Sequence, residues 1–324
     1  MRTLRAFLSV STLAAVALVG CAPVDDVAAP ESESTEEVRA AGAVYLRVRP
    51  DYYRRCVSPL CGGWWVSRVN QRTTKCADGT WAAECYVAAI DWSATGLSDA
   101  DRERTPVALV RGRVEAQTFG QFGNLGRLVV TEAWRSATAT DPTGTFYTVV
   151  DEHIQCVRAP CIGTTATRLN GITPATRAAL NLDGVTGATR ADLRAAADTL
   201  RGTGNILVAG RVATETDAAT RTSIQALRAS QFYLRVGRSV ADADYCSADA
   251  DCTMTQFNRA VSSVADCYCA FCPSAALTVT QAEANVTAYQ RYCRDYRTRC
   301  PVPRCIVPPT PRCTNHVCVA VPRS

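Results

Sequence analysis

The chain has 324 residues, 47% hydrophobic and 20% charged, with a formal net charge of +5, seventeen cysteines and only two histidines. That apolar content excludes a wholly disordered protein, and two His leave little material for a histidine-built metal centre. Lys75 is the only Lys and the arginines are scattered along the chain, so no basic stripe or motif points to nucleic acid.

Residues 1–20 read as an export signal. Arg2 and Arg5 are followed by an apolar stretch, Ala6 to Val19, too short to anchor by spanning a bilayer. The stretch closes on Leu18-Val19-Gly20-Cys21, which resembles a bacterial lipoprotein signal. The resemblance implies cleavage before Cys21, acylation of Cys21 (palmitate among the chains), and contact with the membrane through that lipid. Ala rather than Asp at residue 22 implies the outer membrane, on its periplasmic or outward side. Residues 21–42 carry six acids, one Arg and no aromatic residue, the composition of an extended, flexible tether. Without signal and tether the formal charge of the body rises to +8, a balance that would suit an anionic ligand.

The cysteines follow the logic of an exported protein. Setting Cys21 aside leaves sixteen, an even number that points to disulfides. Six are spread over the first part of the body, and ten crowd into residues 246–318. The jump in density predicts a boundary near Gly237, with 238–324 forming a separate disulfide-stapled domain.

The first part repeats itself. "RRCVSPLCGGWWVSRVN" (54–70) is answered by "QCVRAPCIGTTATRLN" (155–170), and "VYLRV" (44–48) by "FYTVV" (146–150). "TGLSDAD" (95–101) pairs with "TGATRAD" (186–192), "VRGRV" (110–114) with "VAGRV" (208–212), and "EAWRS" (132–136) with "QALRAS" (225–230). Five ordered matches predict two tandem copies of a unit of roughly 95 residues, 43–140 and 141–237. Two copies are too few for a solenoid, so a fused pair sharing a buried face is expected.

Cys156 and Cys161 are the only cysteines of the second copy and must pair with each other there. By homology Cys56 pairs with Cys61, and the leftover Cys76 with Cys85. Each ring is short and contributes about 2 kcal/mol by the loop-entropy argument.

Within each copy the pattern is mostly strand. "AVYLRVRP", "GWWVSRVN", "ECYVAAIDW", "VALVRGRV" and "GRLVVTEAW" are rich in β-branched and aromatic residues. Helix starts recur at Ser98 with Asp101 and at Thr189 with Asp192, the latter before "LRAAADTLRG" with Gly202 as its end. In the tail, Thr280 with Glu283 predicts the start of the one main helix, with Ala282, Val286, Tyr289, Cys293 and Tyr296 on a common face. "PVPRCIVPPTPRC" predicts an extended strap. The ten tail cysteines, Cys246, Cys252, Cys267, Cys269, Cys272, Cys293, Cys300, Cys305, Cys313 and Cys318, admit on the order of a thousand connectivities and are left unassigned. The expected fold class is α+β and β-rich: two mostly-β units and a small disulfide-rich domain with one main helix.

Candidate chemistry is sparse. Cys267, Cys269 and Cys272 have ligand-like spacing, but oxidation competes for them, and neither a metal nor another cofactor is expected. No nucleophile elbow, zinc-helix or phosphate-loop motif occurs, and a histidine base would have to be His153 or His316. Asp91 and Asp183, related by the repeat, could form a carboxylate pair across a pseudo-twofold axis. Trp64, Trp65, Trp92 and Trp134 could stack on carbohydrate, with adjacent Trp64 and Trp65 on opposite faces. "CPVPRC" could present Arg304 to a protease. The stretches "VYLRVRPDYYRRCVSPLCGGWWVSRVN", "ECYVAAIDWSATGLS" and "GRLVVTEAWR" resemble uncharacterised domains of myxobacterial lipoproteins. That resemblance covers about residues 43–136, and the second copy more loosely. It implies an envelope location and carries over no catalytic residue. The expectation is a non-catalytic envelope lipoprotein binding a protein or polysaccharide, the alternatives being a hydrolase using Asp91 and Asp183 or a protease inhibitor using Arg304.

Overall fold

A computed structural model describes residues 42–322 apart from 105–106, 203, 218, 297–299, 301–303 and 306. The export signal, Cys21 and the tether through residue 41 lie outside the described residues. Strands β1 (Val44–Pro50), β2 (Trp64–Arg68), β3 (Thr74–Lys75), β4 (Trp81–Ala82), β5 (Cys85–Val87) and β6 (Ala89–Asp91) lead into helix α1 (Asp99–Arg104). Then come β7 (Val107–Glu115), β8 (Arg127–Ser136), β9 (Thr145–Asp151), β10 (Thr164–Arg168), β11 (Thr176–Arg177), β12 (Ala179–Asn181), helix α2 (Arg190–Arg201), β13 (Asn205–Thr216) and β14 (Ser223–Val236). The cysteine-rich tail holds β15 (Cys252–Thr255), β16 (Ala275–Thr278), α3 (Val279–Cys293), β17 (Thr310–Thr314) and β18 (Val317–Val321).

The fold is mostly β, with three α-helices among the described residues, one large and largely antiparallel sheet, and eight disulfides. The sheet runs β11-β10-β9-β13-β14-β8-β7-β1-β2-β5. Read outward from the central antiparallel β14–β8 pair, both directions give the same sequence of roles. β13 answers β7, β9 answers β1 and β10 answers β2. The short β6 lies parallel to β8, and β12 lies parallel to β14.

Strand register refines the internal correspondences. Gly112 faces Val130 and Gly210 faces Ala229, each at a break in the ladder. Both glycines are where backbones crowd: a Cβ would meet Val129 O at 2.4 Å from Gly112 and Arg228 O at 2.2 Å from Gly210. The repeated "GRV" therefore marks two β-bulges that bend the sheet. Beyond them Trp134 faces Leu109 and Tyr233 faces Leu207. The counterpart of "EAWRS" is thus "QFYLR" (231–235), and not "QALRAS". A sequence comparison slides here because the two strands differ at almost every position while only the ladder fixes their phase.

The bent sheet encloses three apolar clusters. One gathers Leu46, Val66, Val110 and Leu128. A second gathers Val149, Ile206, Leu227 and Phe232, and packs on α2 through Ala196 and Leu200. The third, around Trp134, Tyr233, Leu109, Leu207, Val69 and Leu169, draws on both halves. Helix α2 starts at Thr189, whose side chain accepts from Asp192 N while the Asp192 carboxylate accepts from Thr189 N.

Two asparagines lock the halves together. After β2, Asn70 has a φ of 61°, and after β10, Asn170 has a φ of 54°, left-handed values that Asn tolerates better than most residues. Asn70 accepts from Phe146 N and donates to Phe146 O and Leu169 O, at 2.9, 2.7 and 2.9 Å. Asn170 accepts from Tyr45 N and donates to Tyr45 O and Val69 O, at 2.9, 2.7 and 3.0 Å. Each end of the sheet is thereby tied back to the start of the opposite half.

The tail is two hairpins, β15–β16 and β17–β18, and helix α3. Thr278 caps α3 by accepting from Gln281 N, so the helix begins before Thr280, and Glu283 is not its reciprocal capping partner. Ala282, Asn285, Tyr289 and Cys293 are buried on the helix. The end of the proline-rich strap, from Thr310, pairs as strand β17. Pro311 fits there because this two-stranded ribbon has free edges.

Candidate functional site

Every cysteine among the described residues is bridged. In the part that forms the large sheet the pairs are Cys56–Cys61, Cys76–Cys85 and Cys156–Cys161. In the tail Cys246–Cys313 and Cys252–Cys318 fasten the β17–β18 hairpin. Cys267–Cys293, Cys269–Cys300 and Cys272–Cys305 tie one loop to α3 and the strap. Sulfurs of Cys246, Cys252 and Cys318 lie within 4.8 Å of one another, but bridged sulfur is not the thiolate that binds zinc. Eight disulfides place the protein in an oxidising compartment, extracellular or periplasmic. Among the described residues no helix is long and apolar enough to cross a membrane.

A cluster of titratable groups lies where the tail meets the sheet. The two-residue turn between β17 and β18 is Asn315-His316, both with left-handed φ, of 51° and 59°. This turn inserts His316 against β6. Its Nε2 lies 3.0 Å from Asp91 Oδ2 and its Nδ1 3.0 Å from Cys246 O. Both partners are acceptors, so a ring protonated on both nitrogens satisfies both, and a neutral ring satisfies one. The Tyr245 ring stacks on the imidazole at 5.0 Å, and the Tyr245 hydroxyl donates to Glu115 at 2.9 Å. Arg127 pairs with Glu115 at 2.9 Å and reaches Asp91 at 3.8 Å, while the Arg113 guanidinium lies over the Tyr245 ring at 4.2 Å.

Partial burial pushes the Asp91 carboxyl up, but hydrogen bonds from His316 and Ser93 outweigh it and hold the group down at about 2. Burial, then the Glu115 charge, push the Tyr245 phenol well up. These groups close on one another and on backbone. The arrangement fastens the tail to the sheet.

Asp91 and Asp183 are not brought together. Asp91 accepts from Ser93 N at 2.9 Å, and in the other half it is Asn181 that accepts from Asp183 N at 2.9 Å. The counterpart of Asp91 is therefore Asn181, and Asp183 is exposed. β6 and β12 also flank opposite ends of the β8–β14 pair, a dozen residues apart in register, which is on the order of 40 Å at about 3.3 Å per residue. His153 sits in the loop stapled by Cys156–Cys161, its Nε2 2.7 Å from Gly202 O. Arg304 is exposed beside Cys305.

Of the five tryptophans, the four proposed to stack on carbohydrate divide by face. Trp64 and Trp92 pack against the first apolar cluster, and Trp134 is fully buried in the shared one. Trp65 points to the opposite face, where its Nε1 donates to Asp51 at 3.3 Å and Arg54 covers its ring at 4.8 Å. There it edges a groove of about 390 Å³ between β1–β2 and the β8–β9 loop. Arg47 pairs with Asp141 at 3.2 Å and Arg49 with Glu84 at 2.9 Å along its sides. Tyr233 lies at its floor, 2% exposed, and no described residue hydrogen-bonds its hydroxyl. The sequence singled out Trp65 but gave no sign of Tyr233, Arg47 or Asp141, whose meeting depends on the strand order.

A family model described as a domain of unknown function (DUF6748) matches residues 44–239. The chain belongs to that family. The match takes in both halves of the large sheet as one stretch, together with the two residues beyond Gly237, where Arg238 donates to Ala94 O and Ser239 to the Glu132 carboxylate. No curated protein and no solved structure gives a significant match.

Proposed function

We propose that this protein is an exported lipoprotein of the cell envelope, anchored through acylated Cys21 to the outer membrane, whose body is a non-catalytic binding scaffold. One observation carries the reading. The groups that could do chemistry are engaged with one another: the described thiols in disulfides, and Asp91, Glu115, Tyr245 and His316 in the closed cluster that docks the tail. An open groove elsewhere on the large sheet leaves polar side chains facing solvent. The body is organised as two copies of one β-rich unit, 43–140 and 141–237, followed by the stapled domain 238–324, in the manner of the myxobacterial lipoproteins it resembles. The mirrored strand order, the paired bulges at Gly112 and Gly210 and the reciprocal Asn70 and Asn170 support that duplication.

The test has two arms. Detergent phase partition of the expressed chain should place wild type with the membrane lipids and the Cys21→Ser variant in the aqueous phase. Chromogenic ester, peptide and glycoside substrates should show no turnover. Turnover abolished by Asp91→Asn would instead establish a carboxylate hydrolase.

A further inference from the structure

The groove edged by Trp65 has the properties of a ligand site that the repeat did not copy. Arg49 faces Trp65 across β1–β2, and the matching pair across β9–β10 is Val150 and Thr165. Arg47 faces Ser67, and its counterpart Thr148 faces Thr167. The second half therefore lacks both arginines and the indole at the matching positions, so these side chains are not needed to build the sheet.

Three features define what the groove would accept. Its volume of about 390 Å³ falls within the range of small-molecule pockets. Its charges cancel, two arginines against Asp141 and Glu84, so no net field draws an ion. Its floor holds a phenol hydroxyl on a side chain 2% exposed, next to Ser136 across the β14–β8 ladder, with no partner among the described residues. The ring is buried while the hydroxyl opens onto the cavity and bonds nothing in the protein, so it is free to bond a group that comes from outside.

Such a ligand must offer donors and acceptors in close succession, to meet guanidinium, carboxylate and hydroxyl groups together, plus an apolar patch for the indole. Adjacent sugar hydroxyls and the C–H face of the ring have that chemistry. We propose that the groove binds a short neutral oligosaccharide, with Tyr233 and the Arg47–Asp141 pair bonding ring hydroxyls and Trp65 packing on a sugar face. This deepens the binding-scaffold reading and rests on it. The hydrogen bond from Trp65 to Asp51 and the Arg54 cover fix the indole in advance, which lowers the ordering cost of binding.

The test is calorimetric titration of the mature chain with maltotriose, cellotriose and chitotriose, and with triglycine and trigalacturonate as probes of other chemistry. Saturable binding of at least one neutral trisaccharide is expected. Tyr233→Phe, which removes a hydroxyl without a partner in the protein, should keep the circular dichroism spectrum and weaken that binding about fivefold to tenfold. Asp141→Asn, at a side chain 94% exposed, should weaken it by a similar factor and provides a variant with no folding risk. Binding of triglycine or trigalacturonate alone overturns the saccharide assignment while the scaffold reading stands. Binding of none of the five, or saccharide affinity unchanged in both variants, overturns the groove as the site.

Discussion

The two locking asparagines give the sharpest test of how the large sheet is held. Asn170→Ala removes three side-chain hydrogen bonds, to Tyr45 N, Tyr45 O and Val69 O. At about 1 kcal/mol net for each bond, that is about 3 kcal/mol. The residue also has a φ of 54°, which costs a residue with a Cβ about 1–2 kcal/mol, a cost that Asn offsets in part and Ala does not. The expected loss is about 3–5 kcal/mol, and the same reasoning holds for Asn70→Ala. Asn170→Gly separates the contributions, because Gly accepts the left-handed backbone and loses only the hydrogen bonds. Asn70 bonds Leu169 O and Asn170 bonds Val69 O, so each side chain holds the residue preceding the other. The double variant should therefore cost less than the sum of the singles. Urea unfolding with disulfides intact, followed by Trp emission, measures all four variants. A cost below about 1 kcal/mol for both single Ala variants, far under the hydrogen-bond sum, would refute the claim that these residues close the sheet.

The remaining predictions concern backbone, junction and thiols. Gly112→Ala and Gly210→Ala place a Cβ against Val129 O and Arg228 O, and each should lower the thermal midpoint by more than an exposed Gly→Ala change, read by calorimetry. Asp91, held near 2 against an ordinary 3.8, contributes stability that is full above its unfolded pKa and is lost as pH falls from about 4 through about 2. Urea midpoints between pH 2 and 6 should show Asp91→Asn lacking that portion, roughly 1–2 kcal/mol after allowance for its partial exposure. His316→Gln should loosen the docked hairpin, read as faster amide exchange at Tyr245–Cys246 with the sheet core unchanged. Alkylation of the denatured, unreduced mature body should label no thiol of Cys56 through Cys318, and a labelled Cys267, Cys269 or Cys272 would contradict the bridges seen there.

Much of this architecture is local and therefore legible in the chain. β-Branched and aromatic residues set β1, β2, β7 and β8, because such side chains pack well on a pleated surface. Thr189 with Asp192 set the start of α2, because a cap is satisfied within four residues. The even count of body cysteines and their crowding after Gly237 followed from composition alone. Long-range pairing decided the rest. The phase of β14 against β8 made Tyr233 the counterpart of Trp134 and removed Asp183 as a mate for Asp91, which no local pattern encodes. The tail's bridges emerged only when the helix and hairpins brought distant sulfurs to bonding distance. His316, a lone histidine in a turn by sequence, became a contact between the tail and the large sheet because a hairpin tip landed on β6. The groove required β1, β2, β14 and the β8–β9 loop to meet, and that meeting is a property of the strand order rather than of any one segment.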